Sequence, residues 1–252
     1  MEKITSRSNP LLVRMKKLAA SASYRRQQGV YLCDSPKLLA EALKWHAPVK
    51  EIVVTAGTAL PPLSGEIRTV EVPEDVMASI SPMKTPQGAL FTVALPKREL
   101  PQTLCGRHYL VLDGVQDPGN VGTVLRTADA FECDGVFLVN ACADAYSPKT
   151  NRAAMGALFR RAVYSCTLGE LLALLQRSGV PLYGAALRGD TETLGALDLT
   201  CAAVAIGSEG RGLSGEALDA CEKTLRIPMS ARCESLNAAV AASVVLWEMY
   251  RR

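Results

Sequence analysis

The sequence predicts an α/β protein, with a parallel-sheet region over residues 107–252 behind a smaller α/β unit over residues 1–95. Three observations carry this. After residue 107, short apolar runs alternate with stretches of helical spacing, the pattern of a parallel sheet covered on both faces. Before it, Pro96-Lys97-Arg98-Glu99-Leu100-Pro101-Gln102 is polar and carries two prolines, which stop helices and strands alike, so residues 96–106 read as a linker. The 252 residues are 48% hydrophobic and 21% charged, an ordinary globular balance rather than that of a disordered chain.

In the first region, Pro36–Trp45 has helical spacing, with Leu38, Leu39, Ala42 and Leu43 apolar. Glu51–Thr55 and Ala89–Ala94 are short and rich in β-branched residues, as strands are, and Asp75–Ile80 reads as a helix after Pro73. In the second region the predicted order is strand Tyr109–Asp113, helix Val121–Phe131, strand Gly135–Val139 and a helix near Lys149–Leu158. Helix Leu168–Arg177, strand Leu182–Leu187, strand Ala202–Ile206 and a short helix near Ser214–Ala220 follow. Strand Leu225–Ile227 and a closing helix, Leu236–Tyr250, complete it. That last helix is apolar nearly all round, which predicts burial.

Composition excludes several classes of function. No apolar run reaches the roughly 18 residues that span a bilayer. The start, Met1-Glu2-Lys3-Ile4-Thr5-Ser6-Arg7, lacks the apolar core of a signal peptide, so a cytoplasmic protein is expected. The eight cysteines form no C-x-x-C pair and the only histidines are His46 and His108, a poor set for a metal; none is expected. Reduced, mostly buried thiols are expected instead. The net charge of +3 conceals an N-terminal basic cluster. Arg7, Arg14, Lys16, Lys17, Arg25 and Arg26, with Lys3, face only Glu2 within residues 1–28. Such a cluster suits contact with a polyanion, although a solvated helix face would carry the same charge.

Three loops follow predicted strands, where open parallel sheets bind ligands. In Asp113-Gly114-Val115-Gln116-Asp117-Pro118-Gly119-Asn120, Asn120 is a candidate N-cap. Arg126 lies six positions, nearly two helical turns, further on, and both are expected over one cleft. In Gly207-Ser208-Glu209-Gly210-Arg211-Gly212, three glycines allow close backbone approach and hold Glu209 between them. In Ile227-Pro228-Met229-Ser230-Ala231-Arg232-Cys233-Glu234-Ser235-Leu236-Asn237, Ser235 is a candidate cap for the last helix, with Asn237 facing outward from its first turn.

Taken in order across residues 107–252, Asn120 through Arg126, Gly207-Ser208-Glu209-Gly210, and Ile227-Pro228-Met229 with Ser235-Leu236-Asn237 resemble the three motifs of the SpoU–TrmH RNA methyltransferases. The N-terminal region is similar to that family's substrate-binding domain. It departs from it at Tyr31-Leu32-Cys33-Asp34-Ser35-Pro36-Lys37, where a glutamate–glycine pair is more usual. The resemblance implies a SPOUT fold with a deep trefoil knot, S-adenosylmethionine as cofactor, a homodimer, and 2′-O-methylation of a ribose in RNA. It implies that Gly207, Ile227 and Leu236, with Ala186 and Leu187 nearby, bind the cofactor. It makes Arg126, Asn120, Glu209, Ser235 and Asn237 the catalytic set, with Arg126 the base or activator of the hydroxyl. Because a guanidinium keeps its proton far above neutral pH, steering a phosphate and stabilising a developing alkoxide is the easier task for it. The appended N-terminal domain favours large-subunit ribosomal RNA over transfer RNA. A non-catalytic RNA-binding protein of the same fold is the competing reading; it predicts loss of the polar cleft residues.

Overall fold

A computed structural model describes residues 1–63 and 67–251. The chain forms two compact units, Met1–Lys97 with Tyr146–Phe159, and Arg98–Ala145 with Arg160–Arg252. The break at 97/98 falls inside the expected linker. The stretch 146–159, read from sequence as part of the second region, joins the first unit.

The first unit is a five-stranded mixed sheet. Its strands are β1 (Glu2–Lys3), β2 (Val30–Asp34), β3 (Val49–Thr55), β4 (Arg68–Val72) and β5 (Ala89–Ala94), in the order β1-β4-β3-β5-β2. Strand alternation sorts the side chains between two cores. Val30, Leu32, Val53 and Leu90 meet helices α1 (Pro10–Ala20) and α4 (Glu74–Ile80) on one face. Tyr31, Cys33, Ile52 and Phe91 meet α3 (Pro36–Lys44) on the other, with Tyr146 and Phe159 packed against them. Helix α6 (Pro148–Ala154) is fixed to β2: Arg152 pairs with Asp34 at 2.7 Å, and Asn151 Nδ2 lies 2.8 Å from Cys33 Sγ.

The basic segment is not a free arm. Asn9 caps α1 by accepting from Leu11 N, Pro10 starts the helix, and Leu11, Leu12, Met15 and Leu18 are buried. Ser21 caps α2 (Ala22–Gln28), from which Arg25 turns inward. Arg25 is buried and donates to the Leu18 and Ala19 carbonyls at the end of α1, so it is structural and not available to a phosphate. Arg14 is bound to Glu51 at 2.7 Å, and Arg7 pairs with Asp75 at the surface. Lys16, Lys17 and Arg26 remain exposed, Lys17 lying over the Tyr24 ring.

The second unit is a seven-stranded, fully parallel sheet. Its strands are β6 (His108–Asp113), β7 (Gly135–Val139), β8 (Val163–Ser165), β9 (Leu182–Ala185), β10 (Glu192–Thr193), β11 (Ala202–Gly207) and β12 (Lys223–Arg226). They lie in the order β10-β12-β9-β11-β6-β7-β8. Tyr109, Val111, Phe137, Ala203 and Ala205 pack under α7 (Leu168–Ser178) and α8 (Gly215–Ala220). Helices α5 (Pro118–Ala130) and α9 (Ala238–Tyr250) pack together, with Thr127 and Ser243 hydroxyls 3.2 Å apart and Phe131 against Trp247.

Several expectations need correction. The cap of α5 is Asp117, accepting from Asn120 N at 2.9 Å, so the helix starts three residues before Val121. The cap of α9 is Asn237, not Ser235. One face of α9 is not buried: Val240, Trp247 and Tyr250 are 48%, 51% and 45% exposed. Of the eight thiols, only Cys33, Cys133 and Cys221 are buried; burial pushes that of Cys133 up to about 12. Among the described residues, no helix is long and apolar enough to cross a membrane.

Candidate active site

Parallel register brings the carboxyl ends of β6 and β11 side by side, pairing Asp113 with Gly207. The three polar loops leave the sheet along that edge. Asp113, at the end of β6, is buried and ties the first of them to the β11 loop and to the turn after β7: its carboxylate accepts from Ser214 N at 2.6 Å and from Asn140 Nδ2 at 2.8 Å. Sequence reading passed over this aspartate, although its place at a strand end before Gly114 was the available signal.

After β11 the chain makes a tight loop. Ser208 and Gly212 exchange both backbone hydrogen bonds, at 3.0 and 2.9 Å, with Gly212 at φ +69°. A Cβ on Gly207 would collide with the Gly212 carbonyl, so glycine is required there for the loop to fold back. The loop carries Glu209 at its tip, where Asn120 Nδ2 donates to the Glu209 carboxylate. Asn237 Nδ2 in turn donates to Asn120 Oδ1 at 3.1 Å, while Asn237 Oδ1 accepts from Ala239 N and Val240 N. One chain of side chains therefore links the first turn of α5, the β11 loop and the start of α9.

Beside Glu209 lies a cavity of about 750 Å³, of the size that binds small molecules. Ala186, Leu187, Gly207, Ile227 and Leu236 all line it, as do Glu209 and Ser235. Sequence reading had not singled out Thr193, Ser208, Arg226, Ser230, Cys233 or Glu234, which also line it. Ile206 and Leu225 supply apolar wall. The backbones of Leu187, Ile227 and Leu236 make no hydrogen bond among the described residues, which leaves donors and acceptors open to a ligand. One wall is held by Arg188. It donates to the carbonyls of Leu218 (2.8 Å) and Cys221 (3.2 Å) and grips Asp190 through two nitrogens. That hydrogen bonding holds the Asp190 carboxyl below the usual carboxylate range.

Arg126 stands apart from the Asn237–Asn120–Glu209 chain. Six residues turn a helix through about 600°, which leaves Arg126 some 120° around α5 from Asn120 rather than above it. Its side chain is exposed and makes no hydrogen bond or ion pair among the described residues. His108 begins β6 and so sits at the other end of the sheet from the cavity.

A parallel sheet with a polar amide–carboxylate chain beside a mostly apolar cavity defines a small-molecule-dependent enzyme of the α/β class. Residues 107–247 match the SpoU rRNA methylase family, and residues 2–90 match an MRM3-like substrate binding domain. The chain belongs to the SpoU rRNA methylase family. It is 33% identical over 250 residues to the 23S rRNA (guanosine(2553)-2′-O)-methyltransferase RlmP of Bacillus subtilis, covering 99% of both chains. An AdoMet-bound rRNA methyltransferase from Sinorhizobium meliloti superposes with a TM-score of 0.87 at 26% identity, over 99% of this chain and 97% of that one. A structure concerning 2-OH methylation of C/U34 on tRNA matches 58% of this chain and 95% of its own length, with 31% identity and a TM-score of 0.52. The fold is that of the SpoU methyltransferases, known for its trefoil knot.

The cavity suits S-adenosylmethionine, the cofactor of this family. Apolar walls fit an adenosine, the unpaired backbone groups fit its ring edge, and the Glu209 and Glu234 carboxylates fit a sulfonium and an ammonium.

Proposed function

We propose that this chain is a 2′-O-methyltransferase of large-subunit ribosomal RNA, acting in the cytoplasm as a homodimer. The observation that carries the reaction is the Asn237–Asn120–Glu209 chain at the edge of the cavity. S-adenosylmethionine, when bound, supplies an electrophilic methyl group on a positively charged sulfur. The protein's own part is alignment and charge. Three elements hold the polar groups rigidly, and such positioning contributes up to about 7–11 kcal/mol in ideal cases. Arg126, with no carboxylate to neutralise it, is the group assigned to steer the ribose phosphate and stabilise the developing alkoxide. Ser235, at the cavity wall, orients the sugar.

RNA as substrate follows from the target, since DNA lacks the 2′-hydroxyl. Ribosomal RNA is favoured because RlmP, named for 23S rRNA, matches along the whole chain, N-terminal unit included. The tRNA-directed structure matches only 58% of this chain. A homodimer is favoured by the exposed apolar face of α9.

Incubation of the protein with radiolabelled S-adenosylmethionine and unmodified 23S rRNA or tRNA tests this. Label is expected in the ribosomal RNA as an alkali-resistant 2′-O-methyl nucleotide. Arg126→Ala is expected to lower transfer by about 10²–10³-fold with cofactor affinity unchanged. Full activity in that variant removes Arg126 from the reaction.

A further inference from the structure

The arginines of the second unit differ in their partners. Arg160, Arg161, Arg188 and Arg251 each pair with an aspartate or glutamate. Two others, on the loops that build the cavity, do not. Arg211 makes no hydrogen bond or ion pair among the described residues, and Arg232 reaches only the Ser230 hydroxyl at 3.3 Å. Both are exposed.

Their loops sort charge by sign. On the β11 loop Glu209 lines the cavity, and Arg211, two residues on, does not. On the loop before α9 Glu234 lines it, and Arg232, two residues earlier, does not. Each arginine is flanked in sequence by lining residues, Gly212 on one side and Ala231 and Cys233 on the other. Apart from Arg226 at the end of β12, the charged lining of the site is thus carboxylate, while the two loop guanidiniums stand outside it with all or most of their donors uncommitted. A guanidinium left unpaired beside a site is matched by a phosphate, which it grips through two parallel N–H groups.

We propose that Arg211 and Arg232 form a rim that holds the backbone phosphates of the RNA on either side of the target nucleotide. This rests on the methyltransferase reading and adds two substrate-binding residues to it. They are positioning groups, separate from the cofactor cavity and from the Asn237–Asn120–Glu209 chain.

The test is filter binding of an unmodified 23S rRNA transcript across a salt series, with wild type, Arg211→Ala, Arg232→Ala, the double variant and the two lysine variants. Each alanine is expected to weaken RNA binding about fivefold or more and to lower the log–log salt slope by about one, and the double variant by about two. Each lysine variant is expected to recover the slope, because it restores the charge. Calorimetric affinity for S-adenosylmethionine is expected to be unchanged, which also verifies folding. An unchanged salt slope in the double variant overturns the rim, as does loss of cofactor affinity. Filter binding does not depend on methyl transfer, so a wild-type protein that leaves RNA unmethylated defeats the function assigned above and not the rim.

Discussion

Asn237 performs two tasks with one amide. Its oxygen caps α9 and its nitrogen orders Asn120, which in turn holds Glu209. The two tasks separate by substitution. Asn237→Ala removes both and is expected to cost about 1 kcal/mol, or some 2–4 °C in Tm for a chain of this size, together with methyl transfer. Asn237→Asp keeps an accepting oxygen for the cap but cannot donate to Asn120. Its Tm is expected close to wild type and its transfer rate down by at least tenfold; undiminished turnover means the donated bond is dispensable. Sequence reading picked out Asn120, Glu209 and Asn237, yet misassigned both caps. Ser235 and Asn237 are equally good cap formers two residues apart, as are Asp117 and Asn120 three apart, and only tertiary packing decides between them. Charge counting failed at Arg25 for a related reason. A sequence records that the guanidinium is present, not that the end of α1 has drawn it inside.

At the scale of elements, the cavity depends on the stretch from Ala186 to Thr193, which leaves β9 and returns as the two-residue strand β10. It has little apolar burial of its own, and Leu187 is 77% exposed. Its order comes from Arg188 on two carbonyls and from Thr191, whose hydroxyl lies 2.6 Å from that of the buried Thr224. Arg188→Ala is expected to raise the KM for S-adenosylmethionine about five- to twentyfold while changing kcat less than threefold. Arg188→Lys should not rescue it, since one ammonium cannot serve two carbonyls and a carboxylate in this fork. An unaltered KM means the stretch orders itself. The long elements were legible because their periodicity is strong: β6, β7, β11, α5, α7 and α9 were all anticipated. Strands β2 and β4 were missed although each has five residues, and so were the shorter β1, β8 and β10. Two or three residues carry no readable alternation, and such strands exist only because a neighbour supplies the ladder. The trefoil knot came from resemblance alone, since chain threading leaves no trace in a local pattern.

At the scale of the molecule, α9 has two unlike faces. Ala238, Ala239, Ala242 and Val245 are buried, while Val240, Trp247 and Tyr250 are exposed, with the Phe131 ring tilted against the two aromatics. The proposed homodimer predicts twice the chain mass by light scattering and a shift to chain mass in Trp247→Glu; a monomeric wild type refutes it. The excursion of residues 146–159 has a consequence in time. Helix α6 is encoded between strands β7 and β8, yet it completes the cover of β2, which is encoded more than a hundred residues earlier. A nascent chain therefore emerges from the ribosome with Tyr31 and Cys33 still lacking that cover. The amino-terminal sheet is finished only when translation has passed Phe159 and is already laying down the other half.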